Sequence, residues 1–173
     1  GKLNYGSAGN ATAPHLTTEL LRQETGIDIV HIPFKGAGPA MLEFLAGRVD
    51  IYFDSLTIMK QNISSGKYRM LGIATKKRSS LAPEIPTLDE GGLKGFVVSS
   101  GFSFIGPAGM PKPVVEKLNG ALAKSLQDPT VRKELINRGA DPVGNTSEQH
   151  GAYIKAEIEK WQKVAAHAGI VPE

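Results

Sequence analysis

Short apolar runs alternate with helical patterns through the first half of the chain, and this alternation limits the possible folds more than any other feature. Four apolar runs have strand length: residues 3–5, 27–34, 49–53 and 68–75. Between them, leucines recur at helical spacing before Gly26, and Pro39 opens a second helical pattern that ends at Gly47. A further short helix is expected over residues 56–63. Strands that alternate with helices favour an open, mainly parallel sheet, so we predict an α/β fold.

The second half of the chain differs from the first in composition and in periodicity. Residues 79–93 are rich in proline, glycine and acidic side chains, and residues 96–105 read as one long extended run that would cross between two lobes. Beyond Pro107 we predict three helices. They are indicated by apolar stripes and start signals: Val115, Leu118, Leu122 and Leu126; Asp128-Pro129 before Val131, Leu135 and Ile136; and Thr146 with Gln149 before Ile154, Ile158, Trp161 and Ala165.

These helical stripes need apolar surface to cover, but the few predicted strands already use their faces in β-α-β packing. We therefore expect residues 1–99 to form a ligand-binding lobe, and residues 100–173 to supply a crossover strand and helices to the other, incomplete lobe. Because the first strand pattern starts almost at Gly1, we expect the N-terminal part of that other lobe to be absent. Such a chain should be a marginally stable monomer.

Composition excludes several classes of partner. The 173 residues carry 20 basic and 17 acidic side chains, a net charge of +3, without the long basic stripe typical of nucleic-acid binding. Cysteine is absent, which excludes disulfides and thiolate metal sites. No stretch approaches the roughly 20 consecutive apolar residues of a membrane span, and no signal-peptide pattern is present. On these grounds the protein is either cytosolic or separated from its leader.

Three successive predicted strands end in loops of small or polar residues. These are residues 6–12 (the first loop), residues 35–38 (the second loop), and Asp54 with Ser55 (the third loop). Because the carboxyl ends of parallel strands meet at one edge of a sheet, the three loops should converge. The first two lead into helices, whose leading N–H groups lack partners and carry about half a positive charge. We therefore predict a site for a small anion, with Ser7, Asn10 and Thr12 as additional donors.

Each of these residues also has a plain structural interpretation. The loops could be ordinary strand-to-helix turns with Thr12 as a helix cap. Asp54 either caps the following helix or contacts an amine or hydroxyl of the ligand, and Lys35 either lines the site or points into water. Nucleotide-binding signatures do not match, because Ala11, Thr12 and Met41 stand where those motifs need glycine or lysine. A carboxylate is the better match.

Catalysis finds little support in the sequence. The segment around Ser7 differs from a nucleophile elbow because Tyr5 occupies the position of the first glycine of that motif. His15 and His31 have no metal-ligand spacing with the other two histidines, and both are expected to be structural or surface residues. We predict a binding protein that is not an enzyme and that uses no cofactor or metal.

Several segments, in a fixed order, resemble those of one known family. Around the predicted loops they are Tyr5-Gly6-Ser7-Ala8-Gly9-Asn10-Ala11-Thr12, His31-Ile32-Pro33-Phe34-Lys35-Gly36, and Gly47-Arg48-Val49-Asp50 with Phe53-Asp54. Shorter matches follow at Gly66-Lys67, Pro86-Thr87, Pro107-Ala108-Gly109, Lys112-Pro113 and Ala168-Gly169-Ile170. Over nearly its whole length the chain thus resembles the solute receptors of tripartite tricarboxylate transporters, also called Bug receptors.

The resemblance implies a two-lobed α/β receptor of the type II periplasmic binding protein kind, made with a signal peptide. Such a receptor is not itself inserted in the membrane; it captures a small organic acid and hands it to a membrane permease. The implied cleft residues are Ser7, Ala8, Gly9, Asn10, Ala11 and Thr12, then Phe34, Lys35, Gly36 and Gly38, and finally Asp54 and Ser55. The chain departs from the family at Ala11, where glycine is common, and at Gly101, where a bulky aromatic residue is common.

Two other functions stay open on the sequence alone. The effector-binding domain of a transcription regulator can share this lobe architecture and bind similar acids, although no helix-turn-helix is visible. An acyl-transfer enzyme would use Ser7 as its nucleophile. A leader peptide upstream would favour the receptor, and a basic winged-helix segment would favour the regulator.

Overall fold

The computed structural model describes residues 2–63 and 65–171, with the backbone alone at residues 60 and 61. Within these residues the chain forms three strands and six helices. In chain order they are β1 (Leu3–Ser7), α1 (Ala13–Thr25), β2 (Ile29–Pro33), α2 (Ala37–Leu45), β3 (Ile51–Tyr52), α3 (Leu56–Ile63), α4 (Lys112–Gln127), α5 (Pro129–Asn137) and α6 (Ser147–His167). Strands and helices alternate from β1 to α3, as the apolar pattern predicts.

The three strands form one parallel sheet in the order β2-β1-β3. The central strand is β1, in which Tyr5 pairs with His31 of β2 on one side and with Ile51 of β3 on the other. The predicted α/β fold with an open parallel sheet is confirmed. All three strands therefore end at the same edge of the sheet, where their loops begin.

Sequence signals at the helix ends act as predicted. Gly26 ends α1 in the left-handed conformation, with φ of 68°, and its N–H donates to the carbonyl of Arg22. The Asp128 carboxylate caps α5 by accepting two N–H groups of its first turn, at 2.8 and 3.1 Å. Thr146 and Gln149 form the predicted capping box of α6. Local capping chemistry therefore fixes these three helix ends.

Two predicted extended segments are not strands. Residues 68–75 contribute one isolated bridge, between Ile73 and Thr87, and residues 96–105 contribute no strand to the described part of the chain. The backbone at Ile73 instead bonds to a turn-rich segment, because the proline- and glycine-rich residues 79–93 offer no continuous partner strand. The predictions of a fourth strand and of a strand over residues 96–105 are therefore wrong for the described chain.

A buried apolar cluster joins the two halves of the chain. Its centre is Leu20 on α1, Phe96 in the long connection, and Val164 on α6. Half-buried apolar residues surround this centre: Leu16, Leu21, Ala74, Leu88, Leu93, Val98 and Trp161. The C-terminal helix thus shares its core with the helix that follows the first loop. The division into two lobes at residue 99 stays a prediction.

Replacing Phe96 with alanine should lower the free energy of unfolding by about 3–5 kcal/mol, because its ring is 1% exposed and truncation leaves a cavity. Phe102, a few residues further on, is fully exposed. The matched change Phe102→Ala should therefore alter stability by less than about 0.5 kcal/mol. Urea unfolding followed by circular dichroism measures both values. Equal effects of the two substitutions would contradict a core centred on Phe96.

Candidate functional site

The first and second loops lie side by side at the carboxyl edge of the sheet. Beyond the paired strands, the N–H of Phe34 donates to the carbonyl of Ser7, and the N–H of Gly36 donates to the carbonyl of Ala8, each over 3.0 Å. The ladder between β1 and β2 thus continues past the ends of both strands. The two loops are thereby fixed as neighbours, which is the geometry that a shared anion site requires.

The third loop approaches the second through Tyr52. Its hydroxyl lies 3.0 Å from Asp54 Oδ2 and 3.5 Å from the carbonyl oxygen of Ala37, where α2 begins. Asp54 Oδ1 also accepts the N–H of Ser55 at 2.7 Å. Burial and the Asp54 carboxylate raise the pKa of Tyr52, so this hydroxyl stays protonated and able to donate. The cap of α3 is Ser55, whose carbonyl accepts the N–H of Met59, rather than Asp54.

Backbone donors are available in both neighbouring loops. Within the described residues, the N–H groups of Ala8 and Asn10 have no acceptor, and the leading N–H groups of α2 have none inside that helix. The exposed side chains of Asn10 and Lys35 likewise have no hydrogen-bond partner in the described part of the chain. An anion here would meet unpaired donors at the positive ends of two helices.

Two glycines in the loops adopt backbone conformations that would be strained for other residues. Gly9 has a φ of 135° and Gly36 a φ of 113°, both in the region that L side chains rarely adopt. A Cβ atom on Gly9 would lie 3.4 Å from the carbonyl oxygen of Phe34, so the first loop also packs closely on the second. The backbone approach that the anion site needs depends on these two residues.

Gly36→Ala should destabilise the protein by about 1–3 kcal/mol, because φ of 113° strains any residue with a side chain. No atom lies within 4 Å of the added Cβ, so the effect would be one of backbone conformation alone. Gly38→Ala is the matched control: it also has open space, and it lies in the first turn of α2 without a positive φ. Thermal unfolding that ranks Gly38→Ala as equally damaging would contradict this interpretation.

Ser7 and Thr12 use their hydroxyls within the protein. Ser7 is buried; its Oγ lies 2.6 Å from His31 Nε2 and 3.0 Å from the carbonyl oxygen of Gly9, and it accepts the Gly9 N–H at 3.2 Å. The Thr12 hydroxyl donates to the same Gly9 carbonyl at 2.7 Å instead of capping α1. The structure therefore places Ser7 beneath the first loop, where it shapes the turn, and leaves Asn10 as the exposed polar side chain.

Two histidines lie under the first loop. His15, in the first turn of α1, is buried, and its Nδ1 accepts the N–H of Ala11 at 3.0 Å. Its ring stacks on that of His31 with 3.9 Å between centroids, and the Tyr5 ring lies beside both, at 4.7 Å from His31 and 6.2 Å from His15. Burial lowers the pKa of His31 to about 4 and also lowers the pKa of His15. Both imidazoles are therefore neutral at pH 7.

A buried carboxylate completes this network. Glu19 accepts the hydroxyl of Tyr5 and a double hydrogen bond from Arg22, at 2.8 and 2.9 Å. Burial raises the pKa of Glu19, but the hydrogen bonds from Tyr5 and Arg22 outweigh it and hold that pKa below its usual range. The sequence predicts that His15 and His31 are structural or surface residues, and the structure gives both a structural role without the sequence having placed them together. The signal that could have placed them is the strand pairing of β1 with β2, which sets His31 beside Tyr5.

No three side chains of the described residues are arranged to hold a metal ion. Within the same residues, none of the helices has both the length and the apolar composition that crossing a membrane requires.

Lowering the pH from 7 to 4.5 should reduce the free energy of unfolding, on the order of 2 kcal/mol from His31 alone. The pKa of His31 is about 4 in the folded protein against 6.5 for a free side chain. The unfolded chain therefore takes up the proton first. Stability that is present above about pH 6.5 is lost as the pH falls toward 4, and His15 acts in the same direction. Urea unfolding at several pH values measures the effect.

The matched variants for this prediction are His31→Gln, which cannot titrate, and His167→Gln, at the exposed end of α6. His31→Gln should lose less stability between pH 7 and 4.5 than the wild type, whereas His167→Gln should lose as much as the wild type. The same pH dependence in His31→Gln and the wild type would refute a role of His31.

The fold places the chain in a class, the periplasmic solute-binding proteins, because solved structures described as a periplasmic transporter and as the periplasmic binding protein BugD share it. Residues 1–170 match the family model described as the tripartite tricarboxylate transporter family receptor, and the chain belongs to that family. The resemblance drawn from the sequence is confirmed.

Individual relatives agree with this family. A UPF0065 protein from the tcbD-tcbE intergenic region of Pseudomonas sp. strain P51 is 38% identical over 165 residues, which cover 95% of this chain and 49% of the relative. The solved structure of R. palustris Rpa4515 with adipate has a TM-score of 0.83 at 34% identity, covering 99% of this chain and 57% of that one. MatC (Rpa3494) from Rhodopseudomonas palustris with bound malate has a TM-score of 0.72 at 31% identity, covering 94% and 56%. The chain thus spans about half the length of most of the curated relatives it matches.

Proposed function

We propose that this chain is the ligand-binding part of an extracytoplasmic receptor that captures a small carboxylate and delivers it to a tripartite tricarboxylate-type permease. Family membership supports the receptor role. Two solved relatives, described with adipate and with malate, support a small dicarboxylate as the class of ligand. The alternative of a regulator's effector domain receives no support from the family match. A periplasmic location is part of the same proposal.

The observation that carries this proposal is the adjacency of the first and second loops. Hydrogen bonds from Phe34 and Gly36 to the first loop keep the starts of α1 and α2 together. Unpaired N–H groups of Ala8 and Asn10 lie in the first of these loops, and the first turn of α2 follows the second, which supports a shared anion site. Each helix start adds about half a positive charge. A carboxylate, with two acceptor oxygens and one negative charge, matches this set of donors.

The predicted residues contribute in different ways under this proposal. Ala8 and Asn10 offer backbone donors, and Asn10 and Lys35 add exposed side chains. The N–H of Gly36 is already used by the carbonyl of Ala8, so Gly36 acts through its conformation. Asp54, held by Tyr52 and by the N–H of Ser55, would face another part of the ligand.

One contact favours the acyl-transfer alternative at first sight. Ser7 Oγ and His31 Nε2 are 2.6 Å apart, which is the distance of a nucleophile from its general base. Ser7 is fully buried, however, and a nucleophile must reach the carbonyl carbon that it attacks. This burial argues against Ser7 as a nucleophile, so the Ser7–His31 contact serves the architecture of the loop. With the family match, it supports a receptor without enzymatic activity as part of the proposal.

Adipate and malate should raise the melting temperature of the intact protein, whereas the corresponding diamides should not, because the site offers donors and positive helix ends. A carboxylate present at about 100 times its dissociation constant should add about 2.7 kcal/mol of stability. Differential scanning fluorimetry at low and at 0.5 M salt measures the shift, which should shrink with salt. Equal shifts from acids and amides, or none from any small carboxylate, would refute the proposal.

A further inference from the structure

Ala11, in the first loop, has a backbone conformation that residues with side chains rarely adopt. Its φ is 57°, the one positive value among the non-glycine residues that the structure describes. Its N–H donates to Nδ1 of His15, 3.0 Å away. The Ala11 N–H is thus occupied by a buried side chain, whereas the N–H groups of Ala8 and Asn10 in the same loop are left without acceptors within the described residues.

His15 is itself held in place by its neighbours. Its ring is buried and stacked on His31, and His31 contacts the hydroxyl of Ser7 at the start of the first loop. The other ring nitrogen of His15, Nε2, faces Glu19 Oε1 at 3.9 Å. The two ends of the first loop, Ser7 and Ala11, are therefore both held by one stack of imidazoles.

We propose that His15 is a positioning residue for the anion site, which holds the left-handed turn at Ala11 through Nδ1 and so sets the direction of the free N–H groups in the first loop. The inference rests on the proposed function, because it concerns the same loop. Nδ1 accepts a hydrogen bond only when it carries no proton. The working form is therefore the neutral imidazole with its proton on Nε2, toward Glu19.

The acceptor at Nδ1 separates this role from simple packing. A buried histidine that serves the core alone needs its volume and its stacking on His31. A histidine that positions the loop needs an acceptor atom at one place, opposite the N–H of Ala11. Asparagine places its Oδ1 close to where Nδ1 of histidine lies, and glutamine places its amide close to where Nε2 lies. His15→Asn therefore keeps the acceptor, whereas His15→Gln removes it.

Isothermal titration calorimetry of the intact protein with adipate, and in parallel with malate, tests the proposal at pH 7. His15→Gln should weaken binding at least tenfold, and His15→Asn should bind within about threefold of the wild type. His167→Gln, the same chemical change at an exposed position of α6, should leave the affinity unchanged. Melting temperatures of all variants identify any loss of folding.

A pH series adds a readout that packing alone would not change. The affinity of the wild type relative to His15→Asn should fall in acid, because the proton removes the acceptor. Since burial lowers the pKa of His15, the fall should begin at a pH below 6.5, the ordinary value for histidine. Dividing the two affinities cancels protonation of the ligand itself. The charged or titratable groups that face His15 are Tyr5 of β1, Glu19 and Arg22 of α1, and His31 of β2, and all four are present in both proteins.

Equal affinities of folded His15→Asn and His15→Gln, whether both normal or both weak, would overturn the proposal, because the acceptor would then have no influence. If the wild type binds no small carboxylate, the proposed function fails first. The amide proton shift of Ala11, measured by NMR without ligand, then still decides the role of His15. It should match the wild type in His15→Asn and move upfield in His15→Gln; the same shift in both variants would overturn the proposal.

Discussion

The continuation of the β1–β2 ladder beyond the strands is the interaction on which the candidate site depends. The hydrogen bonds from Phe34 to Ser7 and from Gly36 to Ala8 are ordinary backbone bonds, each contributing roughly 1 kcal/mol. Their consequence is geometric, because they carry strand pairing into the two loops and keep the starts of α1 and α2 adjacent. Without them two helix ends at the same sheet edge could still diverge, and neither alone would hold an anion firmly. The fold therefore supplies the site through its backbone more than through particular side chains.

A polar network under the first loop makes that backbone rigid. Tyr5, His15, Glu19, Arg22 and His31 lie together, and nearly all their buried polar atoms have partners; Arg22 Nε is the exception among them in the described residues. A buried network of this kind is costly to disturb, since an unpaired buried group loses its hydration without compensation. The contact of Ser7 with His31 belongs to this network. A serine and histidine at hydrogen-bond distance are thus explained by the support of a turn, and the burial of Ser7 argues against its use as a nucleophile.

The sequence predicted the parallel sheet, the boundaries of most helices and the meeting of three loops, because these follow from local periodicity and from the geometry of parallel strands. It misplaced the segment 68–75, which has strand composition but lacks a neighbouring strand, and pairing cannot be read from composition. It predicted Ser7 as an additional donor without indicating its burial, and it expected His15 to be a structural or surface residue without placing it beside the first loop. A motif gives the residue types in a loop, whereas the side on which each residue lies depends on contacts such as that of Ser7 with His31, which is distant in sequence.

The Asp54 carboxylate raises an electrostatic question, because two like charges 4 Å apart repel by about 1 kcal/mol in water and about 4 kcal/mol at an effective dielectric constant of 20. Both oxygens of Asp54 accept hydrogen bonds from uncharged donors, the hydroxyl of Tyr52 and the N–H of Ser55. These bonds hold the carboxylate in place without neutralising its charge. The backbone donors of the first and second loops have the opposite character. A ligand with a carboxylate at one end would therefore lie with that end toward α1 and α2, since reversing it would set its charge against Asp54. For the proposed dicarboxylate, one carboxylate would thus face the first two loops and the second would lie away from Asp54, with an uncharged part of the ligand toward the third loop.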